Sequence, residues 1–201
     1  MIKRIFDLLI CVIFLPLFAC LICLISFVLL FYVRGGIFFT QKRIGLNGDV
    51  FTLYKFRTMD NKSIDGKLLP DGVRIFPFGR FLRSTSLDEL PSIINILKGD
   101  MSWVGPRPLP EKYRHRYTQM QFRRHEVLPG VTGLAQINGR NAISWGDKFL
   151  LDVYYIDHNS FLLDLKILIK TVFVILQRKD ISAPNHSTMP EFLGDSQPYE
   201  K

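Results

Sequence analysis

The chain has 201 residues, of which 48% are hydrophobic, and its mean hydropathy is +0.15. This length suits one compact domain plus an accessory segment, and the composition is too apolar for an ordinary soluble domain. The 26 basic and 18 acidic side chains give a net charge of +8, which indicates an anionic partner such as a nucleotide, a nucleic acid or an acidic lipid surface.

An uncharged apolar run extends from Leu8 to Val33, and it is longer than the roughly 20 residues that a transmembrane helix needs. It is too long for a signal peptide and lacks a clear cleavage site. All three cysteines lie within it, which argues against a disulfide framework. Pro16, near its middle, removes one backbone hydrogen bond and favours a kink.

Basic residues flank this run on both sides. Lys3 and Arg4 precede it. The group that follows it comprises Arg34, Lys42, Arg43, Lys55 and Arg57. Because the positive-inside rule places both flanks in the cytoplasm, we predict a re-entrant hairpin over residues 1–34, bent at Pro16. A single span with an external amino terminus is the alternative that hydropathy alone favours.

The stretch VFTLYKFRTM, from Val50 to Met59, predicts a strand because it is rich in β-branched and aromatic residues. Its period of two places Lys55 and Arg57 on one face, where both cations can meet an anion. A solvated surface position is an equally compatible interpretation of either residue alone.

The stretch SLDELPSIINILKGD contains the adjacent carboxylates Asp88 and Glu89. Pro91 lacks an N–H and suits the first turn of a helix, so we predict a helix that begins at Asp88 as its N-cap and stops at Gly99. Its predicted buried stripe is Leu90, Ile93, Ile94 and Leu97. From these residues alone, capping is favoured over catalysis as the role of the carboxylates.

Cations cluster around this pair in the sequence. Arg80 and Arg83 precede it, and Arg107 lies between Pro106 and Pro108, which restrict the backbone that presents its guanidinium. Such a set is compatible with phosphoryl transfer, in which one carboxylate attacks phosphorus and the other holds a divalent metal such as Mg²⁺. The pattern does not assign the two roles, and an ordinary surface loop remains the alternative for PRP.

The following stretch, LPGVTGLAQINGRNAISWGDKFLLDVYYI, combines glycines and amides with Arg140, Trp145 and Asp152. These residue types suit close approach to a sugar or a base, although the spacing matches neither the Walker A pattern nor G-x-G-x-x-G.

In the apolar stretch from Phe161 to Gln177, two lysines four residues apart predict a helix at the membrane interface near 161–178, with a buried core helix as the alternative. Residues 181–201 are predicted to form a loosely ordered tail.

Several motifs together resemble the small bacterial sugar transferases, the monotopic polyprenol-phosphate phosphoglycosyl transferases. In chain order they are KRIFD, QKRIG, YKFRTM, RSTSLDELP, ILKGDMSWVGPRPL, PGVTGLAQINGRNAISW, LDVYY and SFLLDLKIL. The resemblance covers roughly residues 1 to 180 and is closest to single-domain members that act on diacetylbacillosamine-type sugars. It implies a membrane-associated α/β domain, mostly helical with a small β element, whose catalytic part spans 35–180.

The resemblance also implies a reaction: transfer of a sugar-1-phosphate from a UDP-sugar, with an N-acetylated amino sugar expected, to undecaprenyl phosphate, with release of UMP. Asp88 would be the nucleophile that forms a covalent intermediate, Glu89 would bind Mg²⁺, and Arg107 would contact the donor. Four further residues match active-site positions of the family: Lys55, Arg83, Arg140 and Asp152. The expected location is the cytoplasmic face of the bacterial inner membrane, with lipid and no nucleic acid as partner.

One residue departs from the family pattern. Family members often have Ser-Pro at the break in the first helix, whereas this chain has Leu15-Pro16. The same residues are compatible with three other activities: a membrane-anchored anion-binding protein without turnover, a phosphohydrolase that uses water as acceptor, and a transferase that forms a direct ternary complex.

Overall fold

The computed structural model of the protein describes residues 2–33, 35–139, 142–177 and 189–194. These residues form a mostly helical structure with three small two-stranded sheets. The α-helices are α1 (Ile2–Tyr32), α2 (Asp71–Arg74), α3 (Pro77–Ser84), α4 (Ile93–Lys98), α5 (Gln119–Phe122), α6 (Leu134–Ile137), α7 (Trp145–Asp157) and α8 (Phe161–Gln177). The strands are β1 (Phe38–Ile44), β2 (Val50–Phe56), β3 (Ser63–Ile64), β4 (Lys67–Leu68), β5 (Ser102–Val104) and β6 (Gly130–Thr132). Short 3₁₀ helices cover Leu46–Gly48, Leu87–Ser92, Glu111–Arg116 and Arg123–His125.

The apolar first segment forms α1, which is helical through Pro16. The predicted break in helical structure is therefore not found, although the re-entrant path remains a prediction. By length and composition α1 could cross a membrane. Each half of α1 has buried positions, whereas residues 12–17, which cover every side of the helix, are all exposed. Residues 12–17 of α1 thus have no buried position, whereas the helix contacts the body on either side of them.

Polar contacts attach the amino-terminal half of α1 to the body. Lys3 pairs with Asp164 of α8 at 2.5 Å and donates a hydrogen bond to the hydroxyl of Tyr155, which donates to Asp164 at 2.6 Å. Asp7 accepts a hydrogen bond from the backbone N–H of Trp103 at 3.1 Å. At the other end, Tyr32 stacks on Phe76 with ring centroids 5.4 Å apart. Both ends of α1 are therefore fixed to the domain that contains the site described below.

The antiparallel pair β1–β2 supplies one wall of that site. Its free edge is covered by side chains of the segment that follows α3: Asn95 donates to the carbonyl of Thr52 at 2.7 Å and accepts from Tyr54 N–H, and Ser92 donates to the Tyr54 carbonyl at 3.0 Å. Exposed edge groups are thereby satisfied, and α4 is held against the strand. Arg57 lies beyond the end of β2, so the predicted strand to Met59 is too long.

The segment around Asp88 differs from the predicted helix. A 3₁₀ helix covers Leu87–Ser92, and the α-helix begins only at Ile93, after Pro91 and not at Asp88. No side-chain cap is formed at the start of this segment. The predicted stripe is also partly wrong: Ile94 and Leu97 are 39% and 44% exposed, whereas Ile96 is buried. Gly99 ends α4 with φ 94°, as predicted.

The parallel pair β5–β6 holds the PRP stretch in place. Gly105 N–H donates to the Thr132 carbonyl at 2.9 Å, and Gly130 N–H donates to the Pro106 carbonyl at 3.0 Å. A Cβ atom on Gly130 would lie 2.1 Å from the backbone nitrogen of Gly105. Only glycine permits this approach, which fixes the backbone immediately before Arg107.

Two carboxy-terminal segments, α8 and residues 189–194, pack against the domain. In α8, Asp164 and Ile167 are buried, and large apolar side chains occupy the outward side, so the helix is not the fully buried core helix of the alternative. Of the predicted loose tail, residues 189–194 are described and pack against the domain, with Phe192 1% exposed. The remainder of residues 181–201 lies outside the described part.

Candidate active site

A cavity of about 380 Å³ opens between β1–β2, the 3₁₀ helix Leu87–Ser92, α6, α7 and α8. It contains every predicted site residue that the structure describes, and Arg140 lies outside the described residues. The predicted residues in its wall are Lys55, Arg83, Asp88, Glu89, Arg107 and Asp152. Trp145 also lines it, whereas Arg57 does not.

Glu89 is held by two cations inside this cavity. Its Oε1 accepts hydrogen bonds from Lys55 Nζ at 2.7 Å and from Arg107 Nη2 at 2.5 Å, while Oε2 accepts from Arg107 Nη1 at 3.3 Å. Burial would raise the pKa of Glu89, but the charges of Arg107 and Lys55 outweigh it and hold the pKa well below its usual range. Glu89 is therefore a fixed anion at neutral pH.

Asp88 is in a different electrostatic position. None of the described residues donates a hydrogen bond to its carboxylate, which faces the cavity beside Lys55 and Arg83. Burial, opposed by Lys55 and reinforced by the negative charge of Glu89, raises the pKa of Asp88 to about 6. Two neighbouring carboxylates with pKa values pushed apart are typical of a site with two distinct chemical roles.

A second layer of charges supports Arg107. Asp152 and Arg124 form an ion pair at 2.8 Å in which each side chain is 3% exposed. Arg124 also donates to the backbone carbonyl of Arg107 at 2.8 Å, and Arg43 donates to the carbonyl of Pro108 at 2.9 Å. The Asp152 carboxylate is thus engaged by Arg124, through which it positions the PRP backbone.

Three cations in the cavity wall were not among the predicted site residues: Arg43, Arg124 and Lys148. Arg43 shares a face with Lys55, because β1–β2 pairs Arg43 with Phe51 and Phe39 with Lys55. Burial, together with the charge of Arg107, lowers the pKa of Arg43 to about 10. The alternation of side chains within β1 can be predicted from the sequence. The β1–β2 register, which places Arg43 on the same face as Lys55, cannot.

The carboxylates fit a magnesium ion that is shared with a phosphate ligand. Glu89 is ionised, its Oε2 accepts one long hydrogen bond, and Asp88 accepts none from the described residues. Within that part of the chain, no group of three or more His, Cys, Asp or Glu side chains could hold a metal alone. Mg²⁺ usually takes one or two carboxylates plus substrate phosphates, which agrees with this donor set.

A cavity that combines several cations with a carboxylate to which no described residue donates a hydrogen bond suits a ligand that carries phosphate. The sequence profile described as bacterial sugar transferase matches residues 1–178. The chain belongs to the bacterial sugar transferase family, as its motifs predicted, and is therefore an enzyme.

Individual relatives support this assignment. The uncharacterized sugar transferase EpsL of Bacillus subtilis (strain 168) is 51% identical over 200 residues, which cover 96% of each chain. The UDP-glucose:undecaprenyl-phosphate glucose-1-phosphate transferase of Klebsiella pneumoniae is 37% identical over 182 residues. The undecaprenyl-phosphate galactose phosphotransferase of Salmonella typhimurium (strain LT2) is 37% identical over 163 residues.

The two relatives with named reactions are longer proteins. The match covers 85% of this chain and 39% of the Klebsiella protein, and 72% of this chain and 34% of the Salmonella protein. This chain therefore corresponds to less than half of each of these two relatives.

Proposed function

We propose that this chain transfers a sugar-1-phosphate from a UDP-sugar to undecaprenyl phosphate and releases UMP. The observation that carries the proposal is the carboxylate of Asp88, to which none of the described residues donates a hydrogen bond, in a cavity with Lys55, Arg83 and Arg107. The relatives with named reactions act on undecaprenyl phosphate. Several cations around one free carboxylate can bind a diphosphate and still leave a nucleophile next to it.

In the first step, an Asp88 carboxylate oxygen attacks the phosphorus that bears the sugar. A bond forms between Asp88 and this phosphorus, and the bond from phosphorus to the bridging oxygen of the diphosphate breaks. UMP leaves with the bridging oxygen and its electron pair. Arg107 and Lys55 stabilise the negative charge that develops on the phosphate oxygens, and Glu89 holds both cations in place.

In the second step, a phosphate oxygen of undecaprenyl phosphate attacks the same phosphorus. The bond to Asp88 breaks, and the carboxylate is regenerated as the lipid diphosphate sugar forms. Glu89 would hold Mg²⁺ at the donor phosphates. When bound, the ion would supply positive charge that neutralises the phosphate oxygens.

The donor sugar is proposed to be an N-acetylated amino sugar, on the basis of the family resemblance. Part of the cavity wall is apolar, with Leu109, Trp145 and Phe149 among its residues. An apolar wall with a few polar groups suits a sugar that carries a methyl-bearing substituent.

We further propose that α1 is a re-entrant membrane segment and that the site faces the cytoplasm of a bacterial inner membrane. The exposed middle of α1 and its two attached ends support this path, since a helix that crossed the bilayer would carry one end away from the domain. The outward side of α8 carries exposed apolar residues together with Lys166 and Lys170, which suits a helix in the lipid interface.

A cysteine at the exposed position 2, made by Ile2→Cys, is expected to remain unlabelled by a membrane-impermeant maleimide in intact cells. The re-entrant path keeps the amino terminus in the cytoplasm, so labelling requires permeabilised cells. Ile64→Cys, in the exposed β3–β4 hairpin, is the matched cytoplasmic control. Labelling of the Ile2 variant alone in intact cells would establish a single span instead.

The reaction is tested with purified protein in lipid nanodiscs, with Mg²⁺, undecaprenyl phosphate and a panel of UDP-sugars. UMP release that depends on the lipid phosphate is the expected result, with the sugar phosphate recovered on the lipid. Free sugar phosphate formed without the lipid would identify a phosphohydrolase. Lack of UMP with every UDP-sugar would contradict the proposal.

Formation of the covalent intermediate is expected to fall below about pH 6. Burial and the neighbouring Glu89 raise the pKa of Asp88 to about 6, and only the ionised carboxylate attacks. The rate is therefore full above this pKa and decreases about tenfold per pH unit below it. Quenched single-turnover reactions without lipid measure this step, because the lipid phosphate itself titrates near pH ~6. A rate that stays constant down to about pH 5 would contradict the assignment of Asp88.

A further inference from the structure

The segment Met189–Gly194, here called the C-terminal strap, packs against the aromatic side chains next to the cavity. Phe192 lies with its ring centroid 5.0 Å from that of Phe149, 5.5 Å from that of Trp145 and 5.8 Å from that of Tyr113. Aromatic pairs at such distances contribute beyond the area that they bury. Phe192 thus anchors the strap in one of the apolar clusters of the domain.

Polar contacts fix the strap on both sides of this ring. Trp145 Nε1 donates to the carbonyl of Pro190 at 3.1 Å, and the backbone N–H of Phe192 donates to the Tyr113 hydroxyl at 3.3 Å. Glu191 pairs with Lys112 at 2.8 Å and with Arg116 at 2.7 Å. Because the ion pairs are partly exposed, the buried ring and the backbone hydrogen bonds dominate the attachment.

The strap contributes a side chain to the cavity. Met189 packs against the cluster around Phe192 and lines the same cavity as Asp88 and Trp145. The family profile matches residues 1–178 and ends before the strap. The strap is therefore a wall of the site that lies outside the part matched by the family profile.

We infer that the C-terminal strap determines which donor sugar the enzyme accepts, with Met189 and Trp145 contacting the sugar. This inference rests on the proposed function. The named relatives act on different sugars, glucose in one and galactose in another. The residues that perform the chemistry common to these enzymes lie within residues 1–178, which the family profile matches. Selection among different sugars requires a part of the cavity wall that differs between enzymes. A flexible thioether next to an indole face suits the C–H face of a sugar ring and its substituents.

The test compares donor selectivity, the ratio of kcat/KM for the preferred UDP-sugar to that for the next best donor. Met189→Ala is expected to change this ratio by roughly tenfold or more, since a hydrophobic contact that differs by one or more methylenes discriminates at that level. Phe192→Ala, which removes the anchor, is expected to change the ratio in the same direction. UMP release in nanodiscs with the full chain measures both variants.

Leu193→Ala is the matched control, because Leu193 is in the strap, is 58% exposed and does not line the cavity. Its selectivity is expected to equal that of the wild type. Thermal unfolding of each variant identifies a loss of folding, and Met189→Ala decides the result if Phe192→Ala does not fold.

The outcomes separate this inference from the proposed function. UMP release by Met189→Ala with an unchanged selectivity ratio would overturn the role of the strap and leave the transferase activity established. Lack of UMP release by the wild type with every UDP-sugar would overturn the proposed function, and the inference with it.

Discussion

Asp88→Asn is expected to lower UMP release from the preferred UDP-sugar by about 10³-fold or more. The amide has nearly the same shape as the carboxylate but cannot form the bond to phosphorus. Among the described residues that line the cavity, only Asp88, Glu89 and Asp152 are acidic, and Glu89 and Asp152 are paired with cations. Loss of the Asp88 charge removes a repulsion toward the donor phosphates, so donor binding is not expected to weaken for electrostatic reasons. The loss should therefore appear in kcat with little increase in KM.

Asp157→Asn is the matched control for this substitution. Asp157 is an exposed carboxylate that pairs with Arg123 at 2.6 Å and does not line the cavity. Its activity is expected to equal that of the wild type. Retention of more than about a tenth of the activity by Asp88→Asn would contradict nucleophilic catalysis by Asp88.

Asp152→Ala is expected to destabilise the protein by about 3–5 kcal/mol, because it leaves the Arg124 guanidinium buried without a counter-charge. Both side chains of the pair are 3% exposed, so little solvent screens the charge that is left unpaired. For a chain of this length, the thermal midpoint should fall by roughly 6–20 °C. Thermal unfolding in nanodiscs, monitored by circular dichroism, measures the change.

Two further variants distinguish the cost of an unpaired buried charge from the cost of a broken exposed ion pair. Removal of both charges in the double variant Arg124→Met and Asp152→Leu is expected to recover most of the stability, because no buried ion remains unpaired. Asp157→Ala, which breaks the exposed pair with Arg123, should cost less than about 1 kcal/mol. A loss for Asp152→Ala no larger than that for Asp157→Ala would show that the buried pair does not support the fold.

The charged residues predicted for the site come from motifs, which are local properties of the sequence. Lys55, Asp88, Glu89 and Arg107 were identified without knowledge of the fold, and the structure places all of them in one cavity. Arg124 was missed because its partner, Asp152, is far away in sequence and on another helix. An ion pair of this kind has no signature in a single sequence.

Local backbone structure was predicted less well where two effects compete. The proline rule correctly excluded Pro91 from an α-helix interior, but the chain responds with a 3₁₀ helix before Ile93 and not with an earlier α-helix. At Pro16 the helical neighbours on both sides outweigh the one missing hydrogen bond, and the helix is continuous. Composition alone does not show whether the missing hydrogen bond at a proline or the neighbouring helical turns decide the local structure.

The strap shows a third limit of sequence reasoning. Its proline and glycine residues predicted a loosely ordered tail, whereas Phe192 packs in the cluster around Trp145 and backbone hydrogen bonds add to this attachment. Burial of a single ring depends on a partner surface that forms only in the folded chain. Such attachment becomes visible only with the tertiary structure.

Intact-mass spectrometry tests the central claim most directly. The protein is incubated with Mg²⁺ and the preferred UDP-sugar in the absence of lipid acceptor, and wild type is compared with Asp88→Asn. A mass gain of one sugar phosphate in the wild type, lost on addition of undecaprenyl phosphate and absent in the variant, is the predicted result. Rapid UMP release in the complete reaction without any adduct would contradict the covalent mechanism and indicate direct transfer between the two substrates.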